Sequence, residues 1–268
     1  MSRRGRRPSG KQRARARHQR VTAVVREVTA TGDAIAKLED GRCVLVGGVV
    51  HGERIELELP AKGGTMPRAR LRGVLEPSEV RVAPPCPLVE RCGGCDWMHL
   101  SDEARGQLHL RHAAELVGRA TGQSGWPDIP IHRPCDPLGY RTRARLVLSA
   151  KGSQVRVGYR RGKSHRLVAL DHCPVLCETL AAAPAEIARW LEGSEGEGEV
   201  QVALGEAGRW VLDLHFVGQL DAAVFATADR QVRGGAWAGV SIWCDGATVP
   251  ATFGEPRAVI PDLDGAPL

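Results

Sequence analysis

Three cysteines fall within ten residues of this chain, in the run Pro85-Cys86-Pro87-Leu88-Val89-Glu90-Arg91-Cys92-Gly93-Gly94-Cys95. A C-x5-C-x2-C spacing lets the sulfurs turn toward one centre, and clustered thiolates are the ligands of zinc and of iron–sulfur clusters. Whatever the remaining chain does, it must fold around this loop. Gly93 and Gly94 read as positions of positive φ, whose backbone N–H groups can donate to charged sulfurs. A fourth ligand is needed. Cys173, in Asp171-His172-Cys173-Pro174, is the first choice because a proline after a ligating cysteine recurs in iron–sulfur loops. Cys177, His172 and His99 are its rivals, and spacing alone does not separate zinc from iron–sulfur. Cys43 and Cys244 sit in apolar, strand-like runs and read as core residues. Cys135, between Pro134 and Asp136, reads as an exposed thiol with no motif to make it a nucleophile.

The chain holds eight cysteines in 268 residues. With no secretory signal, that count points to a reducing, cytoplasmic setting in which clustered thiols hold metal rather than pair. No segment approaches the roughly 20 apolar residues that span a bilayer. The net charge of +6 is unevenly spread: residues 1–100 carry 19 basic and 11 acidic side chains. Residues 1–20 alone hold nine Lys or Arg and no acid, which reads as a disordered basic arm. A polyanionic partner is expected, bound through counterion release from phosphates.

Between Val21 and Leu75 five short β-rich segments alternate with turn signals such as Asp40-Gly41 and Gly47-Gly48, the pattern of a small OB-like five-stranded barrel over residues 21–82. Prolines from Pro77 to Pro85 mark the exit into the cysteine loop. A second, α+β domain is expected over residues 83–268. It begins with a helix from about Ser101 to Thr121, with Leu108, Leu110, Ala113, Leu116 and Val117 as an apolar stripe packed on the cysteine loop. Segments Arg141–Ser149 and Gln154–Tyr159 read as a hairpin turning at Lys151-Gly152. Leu180–Leu191 reads as helical and Glu192–Glu199 as a loop. Strands follow at Val200–Leu204, Trp210–Phe216 and Gly239–Trp243. Arg141, Arg143 and Arg145 alternate, so on one strand they would share a cationic face. Arg160 lies nearby, and Tyr140 or Tyr159 could stack on a base. These six are the expected RNA contacts.

Taken together, these residues resemble the iron–sulfur-containing RNA 5-methyluridine methyltransferases, which act on ribosomal and transfer RNA. Residues 21 to about 80 look like the family's TRAM domain. Cys86, Cys92, Gly93, Gly94, Cys95 and His99 are similar to its cluster loop, Cys173-Pro174-Val175-Leu176 to its fourth-ligand segment, and Tyr140-Arg141-Thr142-Arg143 and Gly158-Tyr159-Arg160 to two further family elements. The likeness covers residues 21–180 closely and 181–268 loosely, with Met98 where the family usually has Gln. It implies a 4Fe-4S cluster on Cys86, Cys92, Cys95 and Cys173. It also implies RNA as partner, ribosomal in preference to transfer RNA, with neither DNA nor a membrane. The family's S-adenosylmethionine-binding glycine loop, cysteine nucleophile and Asp-Pro-Pro segment have no counterpart up to Leu268. The expectation is therefore the RNA- and cluster-binding part of a uracil-C5 methyltransferase without its Rossmann-like catalytic domain. No catalytic residue is assigned, and S-adenosylmethionine enters only if that domain is supplied. A different reading is a standalone RNA-binding iron–sulfur protein, or one subunit of a split methyltransferase; a third is a zinc-dependent RNA-binding module.

Overall fold

A computed structural model of the chain describes residues 19–60, 64–122, 130–132 and 135–259. The expected basic arm lies, except for its last two residues, outside the described residues, as does the final Asp264–Leu268 stretch. The backbone divides into two units, up to Arg81 and from Val82. Among the described residues no helix is long and apolar enough to cross a membrane.

The first unit is one antiparallel sheet of β1 (Gln19–Val28), β2 (Asp33–Leu38), β3 (Cys43–Gly47), β4 (Arg54–Leu59) and β5 (Arg70–Glu76) in the order β3-β2-β1-β4-β5. Alternation puts Ala34, Ala36 and Leu38 of β2 and Ile55, Leu57 and Leu59 of β4 on the buried face. In β1 the buried positions run Ala23, Val25, then Val28. The change of phase follows from a bulge, where the pairing jumps from Val25–Ala36 to Glu27–Ile35. The expected barrel is not closed by a ladder. Its two edges are tied at one place, where Leu45 N donates to Pro67 O (2.9 Å) and Ala69 N to Leu45 O (2.8 Å). Pro67 has no N–H with which to extend the ladder. A bidentate pair between Arg68 and Asp33 reinforces the tie.

Glu53 organises the exit from this sheet. Its side chain is fully buried and accepts from Val50 N (2.8 Å), Ser78 N (3.2 Å) and Arg81, whose Nη2 lies 2.8 Å from Oε2. Arg81 also donates to Gly48 O at 2.9 Å. One carboxylate thus holds the β3–β4 turn against the segment after β5.

The second unit contains a seven-stranded sheet in the order β12-β11-β10-β9-β6-β7-β8. Its strands are β6 (Arg143–Lys151), β7 (Gln154–Arg160), β8 (Leu167–Ala169), β9 (Glu195–Leu204), β10 (Trp210–Gln219), β11 (Trp237–Cys244) and β12 (Ala251–Gly254). Its helices are α1 (Asp102–Thr121), α2 (Glu178–Ala181), α3 (Ala183–Trp190) and α4 (Ala222–Arg233). Only β10 and β11 pair in parallel, joined through α4. Leu180, Ile187, Trp190, Val224 and Ala228 from the helices share one core with Leu212, Leu214 and Phe216 of β10. Trp190 Nε1 donates to Val224 O at 2.9 Å, so a large ring is buried without an unmet donor.

Three expectations need correction. Helix α1 has the predicted cap, Ser101, whose hydroxyl accepts from Ala104 N at 3.3 Å. Its packed side, however, runs through Leu108 and His112, while Leu116 and Val117 are exposed. Contact with Trp97, edge-on to His109 at 4.7 Å, sets the helix's rotation. The span Leu180–Leu191 is two short helices that break at Ala182. The supposed loop Glu192–Glu199 is a strand from Glu195 onward. Its glycines suit a strand here because a Cβ on Gly196 or Gly198 would lie 2.1 Å from Val217 O or 2.2 Å from His215 O. Close packing of backbones overrides glycine's poor strand preference.

Replacing Glu53 by Gln removes the charge opposite Arg81 and turns one of the two accepting oxygens into an NH2 that faces donors. Glu53→Gln should therefore destabilise the first unit by about 2–4 kcal/mol, read by chemical denaturation of the full chain. Burial raises the Glu53 carboxyl pKa, but bonds from Arg81, Val50 and Ser78 outweigh it and leave it below the ordinary 4.5. A depressed folded-state value stabilises fully above pH 4.5 and is lost as pH falls through that lower value. The wild type should show this acid loss and Glu53→Gln should not.

Candidate metal centre and nucleic-acid face

The cysteine loop and the Cys173 segment meet beside the open end of the β6–β7 hairpin. Cys86, Cys92, Cys95 and Cys173 line one pocket, together with Leu88, Val89, Met98, Leu170, Val175, Arg141 and Tyr159. Of the four candidates for the fourth position, Cys173 alone reaches this pocket. His172 is exposed, His99 is buried elsewhere, and Cys177 is half-buried against the core. All eight cysteines are free thiols. Cys135 is exposed, while Cys43 and Cys244 are half-buried at their strand ends.

Backbone contacts set the loop's position. Gly93 N donates to Arg160 O at 3.0 Å. A Cβ on Gly93 would fall 2.7 Å from Gly162 N and 2.8 Å from Arg160 O. Neither Gly93 nor Gly94 has positive φ, so the expected reason for these glycines is replaced by another. Gly93 is there for close approach of two backbones. Gly94 N–H bonds to the Cys92 sulfur, as expected.

Arg141 joins the two cysteine segments. Its N–H donates to Val175 O and its carbonyl accepts from Cys177 N, both at 2.9 Å. Its guanidinium Nη2 lies 3.3 Å from Gly94 O, and its Cζ stands 5.7 Å from the Tyr140 ring centre. Burial disfavours the Arg141 cation, but Tyr140 and Cys95 hold its pKa above the ordinary value.

The thiols sense one another. Burial pushes Cys95 up to about 11, with the charges of Cys173, Cys92 and Cys86 adding to it and Arg141 opposing. Cys92 is raised too, chiefly by burial, against the pull of Gly94 N–H. The Tyr159 hydroxyl is buried beside Cys173, its pKa raised by burial and then by the Cys173 charge. Among the described residues, no three His, Cys, Asp or Glu side chains are grouped as for a single metal ion. The pocket lining offers four soft thiol ligands and one adjacent cation, a donor set that fits zinc and iron–sulfur clusters alike.

The six expected RNA contacts separate. Arg141 and Tyr159 line the cysteine pocket, and Tyr159 is half-buried there. Arg141 also lies outside β6, which begins at Arg143. Arg143, Arg145, Arg160 and Tyr140 are exposed. Arg145 and Arg160 share the Glu199 carboxylate, Arg145 Nε at 2.7 Å and Arg160 Nη2 at 3.3 Å. Those bonds hold the Glu199 carboxyl below its ordinary pKa. Glu199 was missed because its strand read as a loop, although the acids at 195, 197 and 199 already alternate with period two. Tyr140, Arg141, Arg143, Arg145 and Tyr159 all border a larger depression that continues over β9 and β10.

No protein-family model matches the chain. It is similar to curated RNA methyltransferases. A 23S rRNA (uracil(1939)-C(5))-methyltransferase RlmD of Vibrio cholerae is 36% identical over 211 residues, 76% of this chain and 46% of the relative. The protein of the same name from Halomonas elongata is 34% identical over 191 residues, 71% of this chain and 39% of its own length. An uncharacterized RNA methyltransferase of Gloeobacter violaceus is 32% identical over 176 residues, 64% of this chain and 38% of that relative. The chain thus spans less than half the length of these relatives.

The two glycines of the loop should respond differently to a single methyl group. Gly93→Ala must push two backbones apart and should cost about 1–3 kcal/mol. Gly94→Ala places its Cβ 3.5 Å from the Cys92 sulfur, an ordinary contact, and should cost less than about 1 kcal/mol. Thermal denaturation of both variants checks the contrast.

Proposed function

Because the chain belongs to the RNA uracil-C5 methyltransferase family, we propose that it forms the RNA-binding and cluster-holding portion of such an enzyme, with ribosomal RNA as substrate. In this reading the unit before Val82 is a TRAM-type RNA-binding domain. The basic excess of this part of the chain lies in residues 1–20, with nine Lys or Arg and no acid, a composition suited to phosphates through counterion release. The unit from Val82 holds a 4Fe-4S cluster on Cys86, Cys92, Cys95 and Cys173. The observation that carries this is the convergence of thiols from two distant segments on one pocket.

A cluster bound there supplies a cross-link between the loop and the Cys173 segment, and a group able to exchange an electron. The chain's own residues do the rest. Arg141 neutralises part of the thiolate charge and ties both segments to the start of β6. That leaves Tyr140, Arg143 and Arg145 at the surface, beside the pocket, for RNA. Methyl transfer from S-adenosylmethionine belongs to the reading of the longer relatives, and no catalytic residue is assigned here.

Protein purified without oxygen should contain iron and acid-labile sulfide, about four of each per chain, and should bind a fragment of 23S rRNA. Zinc without sulfide would overturn the cluster. Cys173→Ser should lose most of the iron and weaken RNA binding on the order of tenfold, the equivalent of about 1.4 kcal/mol. Unchanged RNA affinity in an iron-free variant would remove the link between cluster and docking.

A further inference from the structure

On β10 the alternate residues Leu212, Leu214 and Phe216 enter the helix-covered core, so Asp213, His215 and Val217 project from the opposite face of the sheet. Register extends that face across four strands. One cross-strand row is Val147–Glu199–His215–Trp243, and the next is Arg145–Gln201–Asp213–Ser241.

The two rings in the first row are held in place. His215 and Trp243 lie 5.5 Å apart with their planes 9° from parallel. The Asp213 carboxylate reaches both: Trp243 Nε1 donates to Oδ1 at 3.1 Å, and His215 Nε2 lies 3.2 Å from Oδ2. Two aromatic faces are therefore set upright on an open sheet by one acid, although neither ring enters the core.

This place is continuous with the arginine surface. The depression around Trp243 and His215 shares Arg145, Gln201 and Asp213 with the one bordered by Tyr140, Arg141 and Arg143. A path thus runs from the cysteine pocket over β6 and β9 to β11. With strands about 4.8 Å apart, three steps cover about 14 Å. Four-stranded sheets with exposed aromatics stack two or three bases over such a width.

We propose that this open sheet face is a stacking platform for unpaired RNA bases. Trp243 and His215 supply the ring surface, Gln201 the hydrogen bonds to a base edge, and Arg143 and Arg145 the phosphate contacts. The inference rests on the RNA-binding reading above and extends it to residues that the cysteine and arginine motifs do not include. A base fits better than a protein partner. Pre-oriented rings among Arg, Gln, Glu and Asp are a stacking and hydrogen-bonding surface, whereas the centre of a protein interface is depleted in charge.

The test uses the full chain purified without oxygen and a short single-stranded uridine-rich oligoribonucleotide, read by fluorescence anisotropy. Trp243→Ala should bind about tenfold more weakly, the loss of one base stack, with an unchanged salt dependence. Trp243→Phe, which keeps a ring, should stay within about threefold of the wild type. Arg143→Ala should instead lower the salt slope by about one. A 4-thiouridine label should cross-link in the wild type to the peptide bearing His215 or Trp243, which guards against a variant that merely misfolds. Wild-type affinity in Trp243→Ala, or cross-links confined to other segments, overturns the platform and leaves RNA binding standing. No binding by the wild type overturns both.

Discussion

Arg141 is the residue on which the second unit's site depends. Its amide and carbonyl clasp the segment carrying Cys173, and its guanidinium reaches the carbonyl between Cys92 and Cys95. The cysteine segments stand 78 residues apart from Cys95 to Cys173, and nothing in their own sequences brings them together. The arginine also offsets charge. The charges of neighbouring thiols add to the burial that raises Cys92 and Cys95, and Arg141 works against that repulsion at both. A single residue therefore aligns the ligand segments, through its backbone on one side and its guanidinium on the other, and eases the electrostatic cost of bringing them together.

The hairpin beneath Arg141 turns this local arrangement into a surface. Strands β6 and β9 pair over nine residues, and β9 and β10 over ten. One side of that ladder is sealed by α3 and α4 through Ile187, Trp190, Val224 and Ala228. Antiparallel sheets can leave their second face to solvent, at the cost of alternating polar with apolar residues. This sheet does so, and the polar residues include rings that a solvated face alone does not require. The backbone approach of Gly196 and Gly198 to β10 keeps the centre of the sheet tightly packed, a rigid base for any group presented above it.

Much of the fold was legible because its signals are local. The five short segments expected between Val21 and Leu75 are the five strands of the first unit, since alternation and glycine turns occur inside each segment. The β6–β7 hairpin was read equally well from Lys151-Gly152. Helix α4 and strands β8 and β12 went unread: β8 and β12 are short, and α4 exists to carry a parallel crossover that no local pattern announces. At the site, the cysteine spacing named the loop, but the use made of Gly93 depended on Gly162, a residue 69 positions away. The fate of Arg141 was hidden for a related reason. Alternation put it on the face of Arg143 and Arg145, yet β6 starts two residues later, and the chain before a strand is not bound by the strand's period.

The same distinction separates two kinds of affinity. Charge is readable from composition, and its excess sits at the start of the chain: residues 1–20 hold nine Lys or Arg and no acid, residues 21–81 nine basic against nine acidic side chains, and the second unit 19 against 22. A polyanion held by the basic stretch of residues 1–20 would be held without sequence choice, because counterion release does not depend on the base. The second unit has no such excess, and Glu199 offsets both Arg145 and Arg160. An RNA strand on that face would have to draw its affinity from stacking and hydrogen bonds, which depend on which bases are unpaired. On the reading proposed above, selectivity would rest on the second unit's rings and amides, because a strong uniform field there would reward any phosphate chain equally and mask the smaller differences between bases.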